Sequence, residues 1–207
     1  MRHLFGFALM AAAACAQSGA RIVYSKSFPG STPSYVSMTI ERTGEATYNE
    51  TKDPDNAEKL TLEPDAVAAI FELAEKLDHF KRPLESGLKV ANMGEKTYRW
   101  ENGSEAHETK FNFSQDENAK ALQDWFERIT ESERAYLELN RVLKHDRLGV
   151  NQAVLQIQTL WDQKRLVGTP QMLPLLDRVS KNEALINMAR DRASNIAGAI
   201  RARTKAE

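Results

Sequence analysis

Strand and turn signals fill the first half of this chain and stop at Phe113; from Gln115 onward apolar residues recur only at helical spacing. That segregation predicts an α+β fold, with a small antiparallel sheet and a packed helix first and an all-helical C-terminal region after it. The boundaries follow directly: 1–16 as a leader, 17–114 as the sheet domain, and 115–207 as a helical region packed on or extending from it.

The strands are read from alternation and turn chemistry. Residues 21–28 form a β-branched and aromatic run stopped by Pro29-Gly30, and residues 35–43 alternate, with Val36, Met38 and Ile40 on one side. Thr43-Gly44 suits a reversal into Ala46-Thr47-Tyr48, whereas the polar residues 50–59 read as an exposed loop. Pro64 opens a helix whose Val67, Ile70, Phe71, Ala74 and Leu77 make one stripe for the inner face of the sheet.

Asn102-Gly103 is the best hairpin turn in the chain. With those two residues as the loop, Trp100 pairs with Glu105, Tyr98 with His107 and Lys96 with Thr109. Glu95 and Lys110 then form a cross-strand ion pair on the opposite face. Tyr98, Trp100, His107, Phe111 and Phe113 share one face in this register.

In the second half, Ser114 is the expected cap of a helix through Leu122, Trp125, Phe126 and Ile129. Thr130 or Ser132 is a candidate restart point. Gly149 and Asn151 mark a break, and Gly168-Thr169-Pro170 a stop and start in which Thr169 caps the next helix. Asn182 is the expected cap of the last helix, with Leu185, Met188, Ala189, Ile196 and Ile200 along one side.

The first residues, MRHLFGFALMAAAACAQ, have a basic start, an apolar run and small residues before Gln17, the pattern of a secretory leader. That apolar run falls short of the roughly 20 residues a membrane-crossing helix needs. The expectation is therefore a secreted or periplasmic protein cut before Gln17. The competing expectation makes Cys15 a lipid-modified first residue that holds the domain at a membrane. Cys15 is the only cysteine among the 207 residues, so the cut chain would have neither disulfide nor thiol. Its fold would rest on a core large enough to bury roughly 70% of the unfolded surface. The 28 basic and 29 acidic side chains nearly cancel, which leaves no electrostatic footprint for nucleic acid.

The succession Ile22-Val23-Tyr24-Ser25, Pro33-Ser34-Tyr35, Gly44, Tyr48 and Leu62-Glu63-Pro64 resembles a family of secreted bacterial α+β domains of unknown function, over roughly residues 21–130. The resemblance implies an extracytoplasmic module and brings no catalytic residues with it.

Candidate chemistry is sparse. His79, His107 and His145 fall on different elements, and no HExxH, GxSxG, phosphate-loop or dinucleotide pattern occurs. His145-Asp146-Arg147 reads as a solvated helix end. Asp53, Asp55, Glu58 and Glu63 are too irregularly spaced for a calcium loop. No cofactor and no metal site is implied. On an open face, Tyr98, Trp100 and His107 would form a platform for sugar rings or a peptide; Phe111 and Phe113 on the same face favour a core instead. The sequence thus points to a non-enzymatic binding module for a protein or envelope component. A carboxylate- and His107-dependent hydrolase is the alternative.

Overall fold

The computed structural model describes residues 19–206. The leader, Cys15 and Gln17 lie outside them. The fold is α+β, as the sequence predicts. Strands β1 (Arg21–Ser27), β2 (Tyr35–Glu41), β3 (Glu45–Asn49), β4 (Glu58–Thr61), β5 (Glu95–Asn102) and β6 (Glu105–Phe111) form one antiparallel sheet in the order β4-β3-β2-β1-β5-β6. Helix α1 (Pro64–Lys76) follows β4. Helices α2 (Glu117–His145), α3 (Val150–Asp162), α4 (Thr169–Ser180) and α5 (Asn187–Ala206) follow the sheet.

Strand alternation sorts the sheet into a core face and a polar face. One row of paired residues runs Leu60, Ala46, Ile40, Ile22, Trp100, His107; the next runs Glu58, Tyr48, Met38, Tyr24, Tyr98, Thr109. On the other face Val23, Ser25, Ser37, Thr39, Thr47, Thr97 and Arg99 are half-buried. The reversal between β2 and β3 requires Gly44: its φ is 90°, and a Cβ there would sit 2.9 Å from the Leu62 carbonyl oxygen.

The β5–β6 hairpin differs from expectation by one step of the turn. Asn102 pairs with Glu105, so the loop is Gly103-Ser104, and Trp100 stands opposite His107, Tyr98 opposite Thr109 and Lys96 opposite Phe111. Of the two loop residues only Gly103 has positive φ, the Gly-first hairpin pattern. Moving the turn by one residue shifts the partners by two and leaves every side chain on its face. Burial therefore does not discriminate between the registers. The Glu95–Lys110 pair is replaced by Arg99 and Glu108, 3.6 Å apart.

β4 is an element that the loop reading missed. Its four residues pair only with β3, and short edge strands leave little alternation to detect.

Helix α2 is a single element of 29 residues. Thr130 and Ser132 do not restart it, because each hydroxyl is used otherwise. Thr130 donates to the Phe126 carbonyl at 2.9 Å, and Ser132 accepts from the Val167 amide at 3.0 Å. Its cap is Asp116 rather than Ser114: the carboxylate accepts from the amides of Asn118 and Ala119 at 2.8 and 3.2 Å. The last helix likewise begins later than predicted. Asn182 holds a turn by accepting from the Ala184 amide at 3.1 Å, α5 starts at Asn187, and Met188 is exposed.

Two cores result, and α2 belongs to both. Its Ala119, Leu122, Phe126 and Ile129 join the sheet and α1, while Ala135, Leu139 and Val142 join α3, α4 and α5. The changeover falls inside the helix, after Ile129 and before Ala135. Burial on both sides of one continuous helix drives its length.

Candidate binding cleft

Polar residues occupy the seam between the cores. The connection from α3 to α4, residues 163–168, is bonded to both halves. Arg165 donates to Glu131 at 2.6 and 3.1 Å and to Asp124 at 2.9 Å. Gly168, with φ of 65°, turns the chain into α4. The sequence predicts Thr169 as the cap of that helix, but Thr169 is its first residue. The capping oxygens come from Glu63, which accepts from the Gly168 amide (2.9 Å), the Thr169 amide (2.7 Å) and the Thr169 hydroxyl (2.6 Å). A carboxylate there is favoured by the unpaired amides and the positive end of the helix dipole.

Beside this seam lies a cleft of about 610 Å3. The start of α1 supplies Glu63 and Asp65, α2 supplies Trp125 and Arg128, α3 supplies Trp161 and Asp162, the connection supplies Lys164, Leu166 and Val167, and α5 supplies Arg203. The Arg128 guanidinium lies 4.7 Å from the Trp125 ring centre, a cation–π contact, and pairs with Asp124 at 2.6 Å. Asp124 thereby bridges Arg128 and Arg165. Burial alone would raise its carboxyl, but Arg165 and Arg128 together hold it below the usual range. Across the mouth, Arg203 pairs with Asp65 at 2.9 Å. Lys164 stands at φ 57°, left-handed for a residue with a Cβ, which is strain held at the rim.

Among the described residues the lining offers carboxylates, guanidinium groups, an ammonium and two indoles, and no histidine, serine or cysteine. Leu166 and Val167 are buried, so the apolar surface open to a ligand is that of the half-buried Trp125 and Trp161.

The residues singled out from sequence lie elsewhere. Tyr98 is fully buried, its ring 4.9 Å from Phe111 and 5.5 Å from Phe126, and its hydroxyl donates to the Ala119 carbonyl of α2 at 3.1 Å. Trp100 is buried edge-on to Phe71 of α1 and 4.2 Å from the His79 ring. Only His107 reaches solvent, at the sheet edge, 2.8 Å from Glu105. Helices cover the other two because the face continues into Tyr24, Met38 and Ile40, so the three do not make an open platform.

After His145, the last residue of α2, Asp146 and Arg147 are bonded to separate partners. Asp146 accepts from the Leu148 and Gly149 amides, and Arg147 donates to the Ala184 carbonyl. Asp53 caps a 3-10 turn (Pro54–Asn56), and Glu63 caps α4. No group of three metal-binding side chains occurs among the described residues. Cys15 lies outside them.

The cleft escaped sequence reading because its two tryptophans look like members of apolar stripes. A usable signal was present in Trp125, which stands between charged Asp124 and Arg128 on one helix. Comparison of the chain with family models, with curated proteins and with solved structures gives no match.

Proposed function

We propose that this chain is a non-enzymatic binding module working outside the cytoplasm, and that the cleft between Trp125 and Trp161 takes its ligand. The observation that carries the reading is the pairing of two half-buried indoles with charged groups already fixed to one another. Such preorganisation lowers the ordering cost of binding. The extracytoplasmic placement draws on the leader pattern of residues 1–16 and on the resemblance over residues 21–130. Against the hydrolase alternative, His107 sits on an exposed edge with Glu105 and Lys81 and does not line the cleft.

Capture from native envelope extract tests the reading. Wild-type chain should enrich one component that Trp161→Ala loses. A hydrolytic activity abolished by His107→Ala would overturn it.

A second reading, docking of a protein partner at the far end of the helical region, is favoured by one observation. Leu148 is 93% exposed, and the Arg147–Ala184 bond brings its loop to the one carrying exposed Ile186. Exposed apolar clusters mark interaction sites. Replacing Leu148, Ile186 and Met188 by serine should remove such a partner and leave thermal stability in place.

A further inference from the structure

We infer that the cleft holds a neutral saccharide, stacked against indole and hydrogen-bonded by the paired charges at its rim; this inference rests on the cleft being the ligand site proposed above.

Charge is the first reason. Arg128, Lys164 and Arg203 are balanced by Glu63, Asp65 and Asp162, so the cleft has no net field to attract an ion of either sign. Several of those charges are already spent on each other: Arg203 on Asp65, and Arg128 on Asp124. Lys164 and Asp162 stay outside those pairs and are opposite in sign, so an ion held by one is opposed by the other. A neutral ligand rich in hydroxyls suits both, because a hydroxyl both donates and accepts. Asp162 and Lys164, both exposed in the lining, supply an acceptor and a donor.

The apolar surface is the second reason. A peptide would need side-chain pockets or a free strand edge to extend. Here Leu166, Val167 and Ala66 are buried, and the walls are α1, α2, α3, α5 and the α3–α4 connection, with no strand among them. What remains is the half-buried Trp161 indole, since the Arg128 guanidinium already lies over the Trp125 ring, and that indole matches the C–H face of a pyranose ring. The volume, about 610 Å3, lies inside the roughly 300–1,000 Å3 range of small-molecule sites.

The geometry of Lys164 is the third reason. Lys164 is an exposed lining residue with a left-handed backbone, and the strain is retained on a connection that is otherwise tightly bonded to α2. Among the described residues its ammonium has no hydrogen-bond or ion-pair partner, so it is available to a ligand hydroxyl.

The experiment follows the indole N–H resonances of the full chain by 15N NMR during titration with N-acetylglucosamine tetrasaccharide, cellotetraose and, separately, tetra-alanine. The expected result is a saturable shift of the Trp125 and Trp161 signals by at least one sugar, with buried Trp100 unmoved. Trp161→Ala should weaken that binding about tenfold. Because Trp161 also touches the second core, Asp162→Asn and Lys164→Ala, both exposed, provide the same test without disturbing packing. If neither sugar shifts these signals while tetra-alanine or a component of envelope extract does, the saccharide inference falls and the binding reading survives. If no probe and no extract moves them, both fall.

Discussion

Glu63 caps a helix that begins 106 residues later in the chain, its Oε1 accepting both the amide and the hydroxyl of Thr169. The carboxylate is buried, so its three donors have no water to fall back on. Glu63→Ala should cost about 2–3 kcal/mol, and Glu63→Gln, which keeps an accepting oxygen, should cost less. Urea denaturation measures both. Equal stability of the alanine variant and wild type would remove Glu63 from any structural role.

Glu133 should make the stability of this protein depend on pH near neutrality. The side chain is fully buried on α2. Gln171 of α4 donates to one of its oxygens, and the other has no partner among the described residues. Burial pushes its carboxyl up to about 7, the Gln171 bond opposes that rise, and Glu58 of β4 adds to it. A native value above the unfolded one means the folded chain holds the proton more tightly. The stabilisation is complete below about pH 4.5 and is lost as pH rises through about 7. At about 1.4 kcal/mol per pH unit this amounts to roughly 3 kcal/mol. Denaturation at pH 5 and pH 8 should show that loss in wild type, and Glu133→Gln should flatten it.

Lys164→Gly separates stability from binding. Glycine accepts the left-handed backbone without the Cβ clash, so the variant should gain about 1 kcal/mol in a thermal melt. The same variant loses the ammonium at the cleft mouth and should bind its ligand more weakly. A variant that is less stable than wild type would mean the backbone there is not strained.

Tyr98→Phe tests whether the aromatic face is core. It removes one buried hydrogen bond, to Ala119, and leaves a carbonyl without that partner, at a cost of about 1 kcal/mol. Ligand capture by the chain should be unaffected. Loss of capture with unchanged stability would return Tyr98 to the list of binding residues.

Much of the sheet was legible because its core face alternates cleanly: Met38 and Ile40 in β2, Tyr98 and Trp100 in β5. The hairpin register was not, since a two-residue shift preserves every facing and only the turn geometry at Gly103 selects between the choices. Helix caps were misplaced at Ser114, Thr169 and Asn182: at α2 the nearby Asp116 takes the amides instead, and α5 begins only at Asn187. A capping oxygen need not be local, and at α4 it comes from Glu63. Beyond the charged neighbours of Trp125, the cleft left no mark in the sequence because its residues arrive from five separate segments, and only the folded chain brings Trp125, Trp161 and Lys164 to one place.

The continuity of α2 has a consequence for how this molecule can be divided. Severing the chain at residue 114 would take Ala119, Leu122, Phe126 and Ile129 away from the sheet and strip the ring stacked on Tyr24 at 4.2 Å. An isolated sheet fragment would then be left with a hollow interior, and the helical fragment with a bare greasy stripe. The two halves are accordingly obliged to fold as one cooperative unit, with a single melting transition shared through one rod.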